Sequence, residues 1–198
     1  MFQSFAEIET HVLGLGLRKT IALAGAHDHE ALFAVVDAKR RGLARAILVG
    51  NTEAIRTELL TLQEDPADYE LVEATGEQET ANTACRLVAQ GKADIPMKGL
   101  MQTSSFMRAI LNKEHGFVPE GMLLSHSILV ENTREQRLFL ITDCVLNIAP
   151  AYADKVKILQ NAVGLAHKLG WEMPKVAVLA PVEVVNPNMQ STDRKSVV

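Results

Sequence analysis

The chain has few cysteines and few aromatic residues, and it has no long apolar run. Its two cysteines, Cys85 and Cys144, lie far apart and show no C-x-x-C spacing. This excludes a disulfide-rich scaffold and is typical of free thiols in a reducing cytosol, although two cysteines leave a single bridge open. No apolar run approaches the ~20 residues of a membrane-spanning helix. The N-terminal residues include acidic side chains and no basic region, which argues against a secretory signal. We therefore expect a soluble, cytoplasmic protein.

The chain also has no excess of basic residues. The chain contains 20 Lys and Arg and 24 Asp and Glu, which gives a net charge of −4, and the positive and negative residues are interspersed along the sequence. This distribution argues against a nucleic-acid or membrane-surface partner. No G-x-S-x-G motif is present, so a hydrolase triad is not supported. Gly14 and Gly16 precede a predicted strand instead of following one, so a dinucleotide-binding reading fails.

Short apolar runs alternate with helical patterns over the first hundred residues. An amphipathic helix at 2–17 comes first. Four strand-like runs follow, at Thr20–Ala24, Ala46–Val49, Tyr69–Ala74 and Ala93–Met97. Helical patterns of 12–15 residues separate the runs, which is typical of βαβ units. The sequence therefore predicts an α/β fold with a mostly parallel sheet that is covered by helices on both faces.

The pattern changes after Thr103. Two strand-like runs, Ser127–Val130 and Leu138–Ile141, are joined by seven polar residues, ENTREQR, which is too short for a crossover helix. This predicts an antiparallel pair. A long helix is predicted at Ala151–Leu169, and a last strand at Val176–Ala180. That last strand has no helix after it to cover it, so the chain is expected to be interrupted.

The stretch Leu138–Pro150, LFLITDCVLNIAP, is the first candidate site. Its apolar run ends in Thr142 and Asp143, and Asn147 precedes the long helix. Ligands of open α/β sheets bind where a strand hands over to a helix. Asp and Asn at such a junction are also common turn and cap residues, and both readings stay open.

A second candidate lies in Met97–Met101, MKGLM. Lys98 follows the fourth strand and precedes a helix N-terminus, where backbone N–H groups and the helix dipole favour an anion. Thr103 would cap this helix or donate to a ligand. Arg108, one turn into the helix, is either a surface charge or a phosphate clamp. A solvated lysine and an ordinary cap explain the pattern equally well.

The remaining candidates are scattered. Ser125 and His126 precede the strand at Ser127–Val130. His27 and His29 have H-x-H spacing but no clear third ligand, so a metal site is disfavoured. Four residues would converge if all strand ends shared one edge of a sheet. These are Gly25, Lys98, Asp143 and Asn186.

Six stretches together resemble one known family. They are ILVG (47–50), ADIPMKGLMQTS (93–104), LSH (124–126), LITDCVLNIAP (140–150), QNAVGLAHKLG (160–170) and VAVLAPVEVVNP (176–187). In order and spacing they resemble the phosphate acetyl/butyryl transferase family, and most of all its phosphate butyryltransferase branch. The resemblance runs from about Lys19 to Thr192. Its most specific parts, taken together, are MKGxxxT, TDxxxNIAP and VExVNP.

The resemblance implies the reversible reaction acyl-CoA + phosphate ⇌ acyl phosphate + CoA, with butyryl or another short acyl chain. It implies a two-domain fold similar to the isopropylmalate dehydrogenase type, a cleft between the domains, and a homodimer. CoA and phosphate are substrates, and no metal or redox cofactor is implied. Cations and N–H donors in such a cleft would hold phosphate near the thioester and stabilise the leaving thiolate. The positions that match family motifs facing the cleft are Lys98, Thr103, Arg108, Ser125, His126, Asp143, Asn147 and Asn186.

Members of the family are longer than this chain, so the resemblance implies that the last part of the fold is missing. That part completes the first domain and carries a segment credited with holding phosphate and CoA, so catalytic residues stay unassigned. We expect part of a first α/β domain at 1–100 and the start of a second lobe with the strand pair at 101–150. A helix, a strand and a truncated tail are expected at 151–198.

Two functions from different classes remain. The first is a phosphate acyltransferase. The second is a catalytically incomplete chain that only binds CoA, phosphate or a partner chain. A hydroxy-acid dehydrogenase of the same fold is disfavoured, because the sequence has no dinucleotide fingerprint and no metal-binding aspartate cluster.

Overall fold

The computed structural model describes residues 2–179. Its strands are β1 Lys19–Ala24, β2 Ala44–Gly50, β3 Glu70–Glu73, β4 Ile95–Lys98, β5 Ser127–Asn132 and β6 Arg137–Thr142. Its α-helices are α1 Phe5–Gly14, α2 His29–Arg40, α3 Thr52–Thr61, α4 Glu77–Ala89, α5 Thr103–Ile110 and α6 Tyr152–Lys168. Short 3₁₀ helices lie at Pro66–Asp68 and Lys113–His115.

The chain divides into two compact units. One comprises Ile8–Gly121 and is called the sheet unit below. The other comprises Met1–Glu7 and Met122–Val198, is described at 2–7 and 122–179, and is called the hairpin unit. The sequence-based domain boundaries after residues 100 and 150 differ from this division and stay a prediction.

The sheet unit is built on four parallel strands in the order β3-β2-β1-β4. All four strand-like runs predicted in the first hundred residues are therefore strands, and their parallel pairing is confirmed. β1 lies at the centre, with Ala22 opposite Ile47 of β2 and opposite Pro96 of β4. Since β2 and β4 leave β1 on opposite sides, the chain reverses its direction of travel across the sheet at β1.

Side chains of the central strands alternate between two apolar clusters. Ala22 and Ala24 face one cluster with Cys85 of α4, while Leu23 faces the other with Leu32 of α2. β2 repeats the alternation, because residues 47 and 49 lie in the first cluster and residue 48 in the second. Both faces of the sheet are thus covered by helices, as the continuous apolar runs predict.

The hairpin unit contains β5 and β6 as an antiparallel pair, in a register that places Ser127 opposite Thr142 and Asn132 opposite Arg137. The predicted strand pair is confirmed. α6 packs on β6, and its buried residues Ile158, Ala162 and Ala166 recur every four positions, as expected for one face of a helix. Asp154 accepts a hydrogen bond from the backbone N–H of Ala151 at 3.3 Å and so closes the N-terminal turn of α6.

The predicted last strand is wrong over its described part. Residues 176–179 have no regular secondary structure. Val176, Val178 and Leu179 are 55%, 66% and 85% exposed, so this run has no sheet to join among the described residues. An apolar run alone does not make a strand, because the strand's backbone groups also need a partner.

Two further expectations concern cysteines and membranes. Cys85 and Cys144 are both free, the first buried and the second exposed. Burial raises the pKa of the Cys85 thiol to about 11, so this thiol is protonated at neutral pH. Within the described part of the chain, no helix has the length and apolar character needed to cross a bilayer.

Candidate functional site

The loops after β1 and β4 touch each other at the carboxyl edge of the sheet. Gly99 donates its backbone N–H to Ala24 O at 2.7 Å, and a Cβ on Gly99 would lie only 2.5 Å from Gly25 O. Gly25 has a φ of +73°, a conformation that glycine adopts without strain. The two glycines therefore allow two loops to meet at the point where the strand order reverses, which is where open α/β sheets bind ligands.

Lys98 is the last residue of β4, and its own loop holds it in place. Its Nζ atom donates to Gly99 O at 3.3 Å and to Met101 O at 3.1 Å. The side chain is exposed, so the third N–H of the ammonium faces solvent. The structure thus places a positive charge after the fourth strand and before a helix, where the sequence placed it.

Thr103 is the first residue of α5, and Gln102 is the N-cap. The interpretation of Thr103 as the cap is therefore wrong, and a ligand-donating hydroxyl remains as its predicted role. The Gln102 side chain makes no capping hydrogen bond to the helix. Because α5 lacks a side-chain cap, its first backbone N–H groups stay available to an acceptor.

Arg108 lies in the last turn of α5, five residues after Thr103. That separation is about 7.5 Å along the helix axis, at 1.5 Å per residue. A cation at a helix C-terminus interacts favourably with the helix dipole, which accounts for an exposed arginine here without a ligand. Its role as a phosphate clamp stays a prediction.

A cavity of about 390 Å³ opens at the same edge of the sheet unit, lined by residues that follow β1, β2, β3 and β4. Its charged or titratable lining residues are His27, Glu73 and Glu77. Hydrogen bonds from the hydroxyl and backbone N–H of Thr52, at 2.6 and 2.9 Å, lower the pKa of Glu73. Glu77 accepts a hydrogen bond from the Ser105 hydroxyl at 3.1 Å. The cavity thus presents carboxylate oxygens, which suit hydrogen-bond donors, and no Lys or Arg of the described part of the chain lines it.

In the hairpin unit, Asp143 organises the loop that follows β6. Its Oδ1 accepts hydrogen bonds from the backbone N–H groups of Val145 and Leu146, at 3.1 and 3.0 Å. Its Oδ2 accepts from the side-chain amide of Asn147. Burial alone would raise the pKa of Asp143, but these hydrogen bonds outweigh it and hold the pKa below its usual value. Asp143 is therefore ionised at neutral pH, and both of its oxygens have partners.

Asn147 links this loop to the segment before β5. Besides Asp143, its amide nitrogen donates to Leu124 O at 3.1 Å. The hydroxyl of Thr142 donates to His126 O at 2.7 Å. The Nδ1 atom of His126 is buried and has no hydrogen-bond partner among residues 2–179. Asn147 and Thr142 thus hold the backbone on either side of Ser125, at Leu124 and His126.

Asn161 also contacts this segment, although the sequence analysis missed it. Its amide nitrogen, on α6, donates to Leu123 O at 2.8 Å and to the Ser125 hydroxyl oxygen at 2.9 Å. The sequence carried one signal for it: Asn161 is a polar residue between Ile158 and Ala162, which mark the packed face of α6.

The sequence candidates fall into three groups. Lys98 and Thr103 share one strand–loop–helix connection in the sheet unit, and the candidates from Ser125 to Asn147 lie in the hairpin unit. Asn186 lies outside the described residues. The expected convergence on one sheet edge holds for Gly25 and Lys98 and is wrong for Asp143, because β6 belongs to the separate two-stranded sheet. Across the described residues, no group of three or more His, Cys, Asp and Glu could hold a metal ion.

Comparison with known proteins decides the family. The family model "Phosphate acetyl/butaryl transferase" matches residues 77–197. The chain belongs to this phosphate acetyl/butyryl transferase family. The match spans more than half of the chain and includes Lys98, Ser125, Asp143 and Asn161. The resemblance inferred from the sequence motifs is confirmed.

Relatives in the transferase family cover almost the whole chain. A phosphate butyryltransferase of Clostridium acetobutylicum is 42% identical over 192 residues, which is 97% of this chain and 63% of the relative. A phosphate acetyltransferase of Thermotoga maritima is 30% identical over 177 residues, which is 89% of this chain and 60% of the relative. The chain spans less than two thirds of the length of these relatives.

Solved structures of two transferases show the same fold. A branched-chain phosphotransacylase from Enterococcus faecalis superimposes with a TM-score of 0.73 at 34% identity, over 88% of this chain and 60% of that one. A phosphotransacetylase from Streptococcus pyogenes gives a TM-score of 0.69 at 18% identity, over 83% and 59%. The predicted α/β fold class is confirmed.

Proposed function

We propose that this chain carries a phosphate acyltransferase site, for the reaction acyl-CoA + phosphate ⇌ acyl phosphate + CoA. A butyryl or other short acyl group is the proposed substrate. The observation that carries the proposal is the coincidence of the family match with the two polar groups described above. Residues 77–197 match the family model, and the same stretch contains the Lys98 loop and the Asp143 network.

The reaction sets physical demands on the site. A phosphate oxygen attacks the thioester carbonyl carbon, a C–O bond forms, the C–S bond breaks, and CoA leaves as a thiolate. Phosphate is an anion that must be held near the thioester, and negative charge develops on the carbonyl oxygen and then on sulfur. Cations and N–H or O–H donors meet these demands.

The sheet unit offers such a group of donors. Lys98 contributes a positive charge, and the uncapped N-terminus of α5 adds backbone N–H groups beside the Thr103 hydroxyl. We propose that these groups bind phosphate. The acidic cavity nearby is a poor phosphate site, because its carboxylates repel an anion.

In the hairpin unit, the proposed ligand group is the hydroxyl of Ser125, with His126 beside it. The side chains of Asp143 and Asn147 form hydrogen bonds within the protein. Asp143 accepts from the backbone of Val145 and Leu146, and Asn147 donates to Leu124 O. We propose that both act by holding the ligand-binding segments in place. Their direct contact with substrate is not needed for this role.

The acyl preference and the assembly are part of the proposal. The C. acetobutylicum relative named phosphate butyryltransferase is 42% identical, against 30% for the T. maritima phosphate acetyltransferase. The E. faecalis structure is titled a branched-chain phosphotransacylase. This ranking supports an acyl group longer than acetyl. We also propose a homodimer and a reaction that uses no metal or redox cofactor.

The test is release of free CoA from butyryl-CoA and acetyl-CoA, with and without phosphate, followed with a thiol-reactive dye. We expect release that depends on phosphate and is faster with butyryl-CoA. Lys98→Ala should raise the KM for phosphate about 10- to 100-fold, the factor that one hydrogen bond to a charged group is worth. Lys92→Ala removes an exposed lysine before β4 and is the matched control, with an expected change below about twofold.

Each failure has a distinct meaning. Release that is independent of phosphate, or equal in the wild type and Lys98→Ala, would contradict the proposed role of Lys98. Phosphate binding without any release would support the alternative of a chain that binds its ligands without turning them over. A preference for acetyl-CoA would overturn only the proposed acyl specificity.

A further inference from the structure

We propose that Asn161 is a positioning residue that orients the Ser125 hydroxyl as a hydrogen-bond donor for an anionic ligand, phosphate. The inference rests on the proposed function, since phosphate is the anion that the reaction requires. Nothing in the sequence motifs assigns a role to Asn161. The geometry of its two hydrogen bonds assigns one.

The orientation of the Asn161 amide follows from its first partner. Leu123 O is a carbonyl oxygen and can only accept, so the amide nitrogen of Asn161 must face it. The same nitrogen lies 2.9 Å from the Ser125 hydroxyl oxygen. An amide nitrogen can only donate, so Ser125 accepts in this contact. Both amide hydrogens of Asn161 are then in use.

The consequence for Ser125 concerns its single hydroxyl proton. Because the oxygen accepts from Asn161, the O–H bond must point away from that amide. None of the described residues accepts this proton. The Ser125 hydroxyl is therefore an unused hydrogen-bond donor, and an oxygen of a bound anion can accept from it.

The backbone around Ser125 is held on both sides. Leu123 O accepts from Asn161, Leu124 O accepts from Asn147, and His126 O accepts from Thr142. Among these donors, Asn161 also contacts the Ser125 side chain. It is carried by a packed helix, between the buried residues Ile158 and Ala162. A rigid helix thus fixes the direction of a hydroxyl that lies on a loop.

The sharpest test replaces the hydrogen-bond donor of the Asn161 side chain by an acceptor with little change in the shape of the side chain. In Asn161→Asp a carboxylate replaces the amide donor. It accepts a hydrogen bond from the Ser125 hydroxyl and repels the carbonyl oxygen of Leu123. The hydroxyl proton is then no longer available to an anion. Gln160→Glu makes the same amide-to-acid change on the neighbouring exposed residue of α6 and is the matched control.

Two readouts are needed on the full chain: the Kd for inorganic phosphate by calorimetry, and kcat and KM for phosphate in CoA release. Ser125→Ala and Asn161→Asp should each weaken phosphate about tenfold, chiefly through Kd and KM. Asn161→Ala adds no charge and completes the cycle with Ser125→Ala. The double variant Ser125→Ala/Asn161→Ala should be no weaker than Ser125→Ala, because Asn161 acts through Ser125. Gln160→Glu should change phosphate affinity less than about twofold.

The failures can be told apart. If Ser125→Ala weakens phosphate and Asn161→Asp does not, the inference is overturned and the proposed function stands. Losses that multiply in the double variant would also overturn it, since Asn161 would then act independently of Ser125. If the wild type shows neither phosphate binding nor phosphate-dependent release, the proposed function fails and takes the inference with it.

A second measurement keeps the inference testable if Asn161→Asp does not fold. In the ¹⁵N-labelled wild type, phosphate should shift the side-chain amide resonances of Asn161, because Ser125 becomes polarised when it donates. In Ser125→Ala the phosphate-induced shift should disappear. A shift that persists without the Ser125 hydroxyl would overturn the inference.

Discussion

The two units of the chain hold their candidate ligand residues by different means. In the sheet unit, Leu23, Leu48 and Val49 are fully buried between helices, and the Lys98 loop is fixed by backbone contacts at Gly25 and Gly99. In the hairpin unit, the Ser125 segment is fixed by side-chain hydrogen bonds. Apolar packing of the strands and close backbone contacts therefore position the first group, and polar side chains position the second.

The difference in apolar burial is large. In the described part of the hairpin unit, the buried hydrophobic residues are Leu138, Ile158, Ala162 and Ala166. The outer face of its two-stranded sheet exposes Ile128, Phe139 and Ile141 by 40%, 37% and 42%. In the hairpin unit, where few apolar residues are buried, side-chain hydrogen bonds therefore restrain the Ser125 segment.

The largest expected effect is the loss of stability when a buried leucine is truncated, and it should differ between the sheet unit and the hairpin unit. Leu48→Ala should lower the free energy of unfolding of the sheet unit by about 2–5 kcal/mol, since its side chain is fully buried in the central sheet. Leu138→Ala, in the hairpin unit, should cost about 2 kcal/mol, at the low end of the same range, because one face of its sheet is open. Urea denaturation followed by far-ultraviolet circular dichroism measures both.

Leu60→Ala is the control for this pair. Leu60 is 65% exposed on α3, and its loss should change stability by less than about 0.5 kcal/mol. Equal costs for Leu48 and Leu138 would remove the contrast in packing between the units.

The next effect tests whether backbone contact fixes the Lys98 loop. Gly99→Ala should lower the free energy of unfolding by about 1–3 kcal/mol. The new Cβ would clash with the backbone oxygens of Gly25 and Ala24, which cannot move aside as the end of a flexible side chain could. Thermal and urea unfolding give the value. A stability equal to that of the wild type would show that the loop has room to move.

Gly164→Ala provides the opposite case on α6. Apart from the adjoining backbone of α6 itself, no atom of the described residues lies within 4 Å of a Cβ placed there. Alanine favours a helix interior over glycine by roughly 0.5–1 kcal/mol. This variant should be slightly more stable than the wild type.

The smallest effect concerns the polar network and pH. The pKa of Asp143 is lower in the folded chain than in the unfolded chain, so its hydrogen bonds stabilise the fold above the unfolded value of about 3.9. This stabilisation is lost as pH falls through the lowered folded pKa. Asp143→Asn should cost about 1–2 kcal/mol at pH 7 and much less once the pH has fallen below the lowered folded pKa.

The fluorescence of Trp171, the single tryptophan of the chain, follows unfolding of the hairpin unit in this experiment. Glu120→Gln, at an exposed carboxylate, should leave the pH profile unchanged. A variant at Asp143 whose stability falls with acid as steeply as that of the wild type would mean that another group carries the pH dependence.

Most of the fold could be predicted because its signals are local. The apolar runs of β1 to β4 and the short polar connection between β5 and β6 each lie within a few residues of sequence. The strand predicted at Val176–Ala180, which is wrong over residues 176–179, has the same local signal, but a strand also needs a pairing partner. No partner can be identified from the run itself.

The roles of the candidate site residues stay a prediction, and their connections were missed by sequence reasoning. Lys98, Asp143 and Asn147 became candidates because each follows a strand or precedes a helix. The contact between Asn161 and Ser125 joins residues 36 positions apart, and it depends on how α6 packs on β6. The spacing of Ile158, Asn161 and Ala162 marks Asn161 as a polar residue on the packed face of α6, but it does not identify Ser125 as the partner. The folded structure was needed to find the contact.

The two carbonyl contacts of Lys98 have a consequence for the cost of binding. A free lysine side chain has about 2 kcal/mol of rotamer entropy to lose when it is fixed. By anchoring Nζ to Gly99 and Met101, the fold already restricts much of that freedom before any ligand arrives. The ammonium group is therefore preorganised before an anion binds. Less of the Coulombic attraction is then offset by lost side-chain entropy, so the net affinity for the anion is higher.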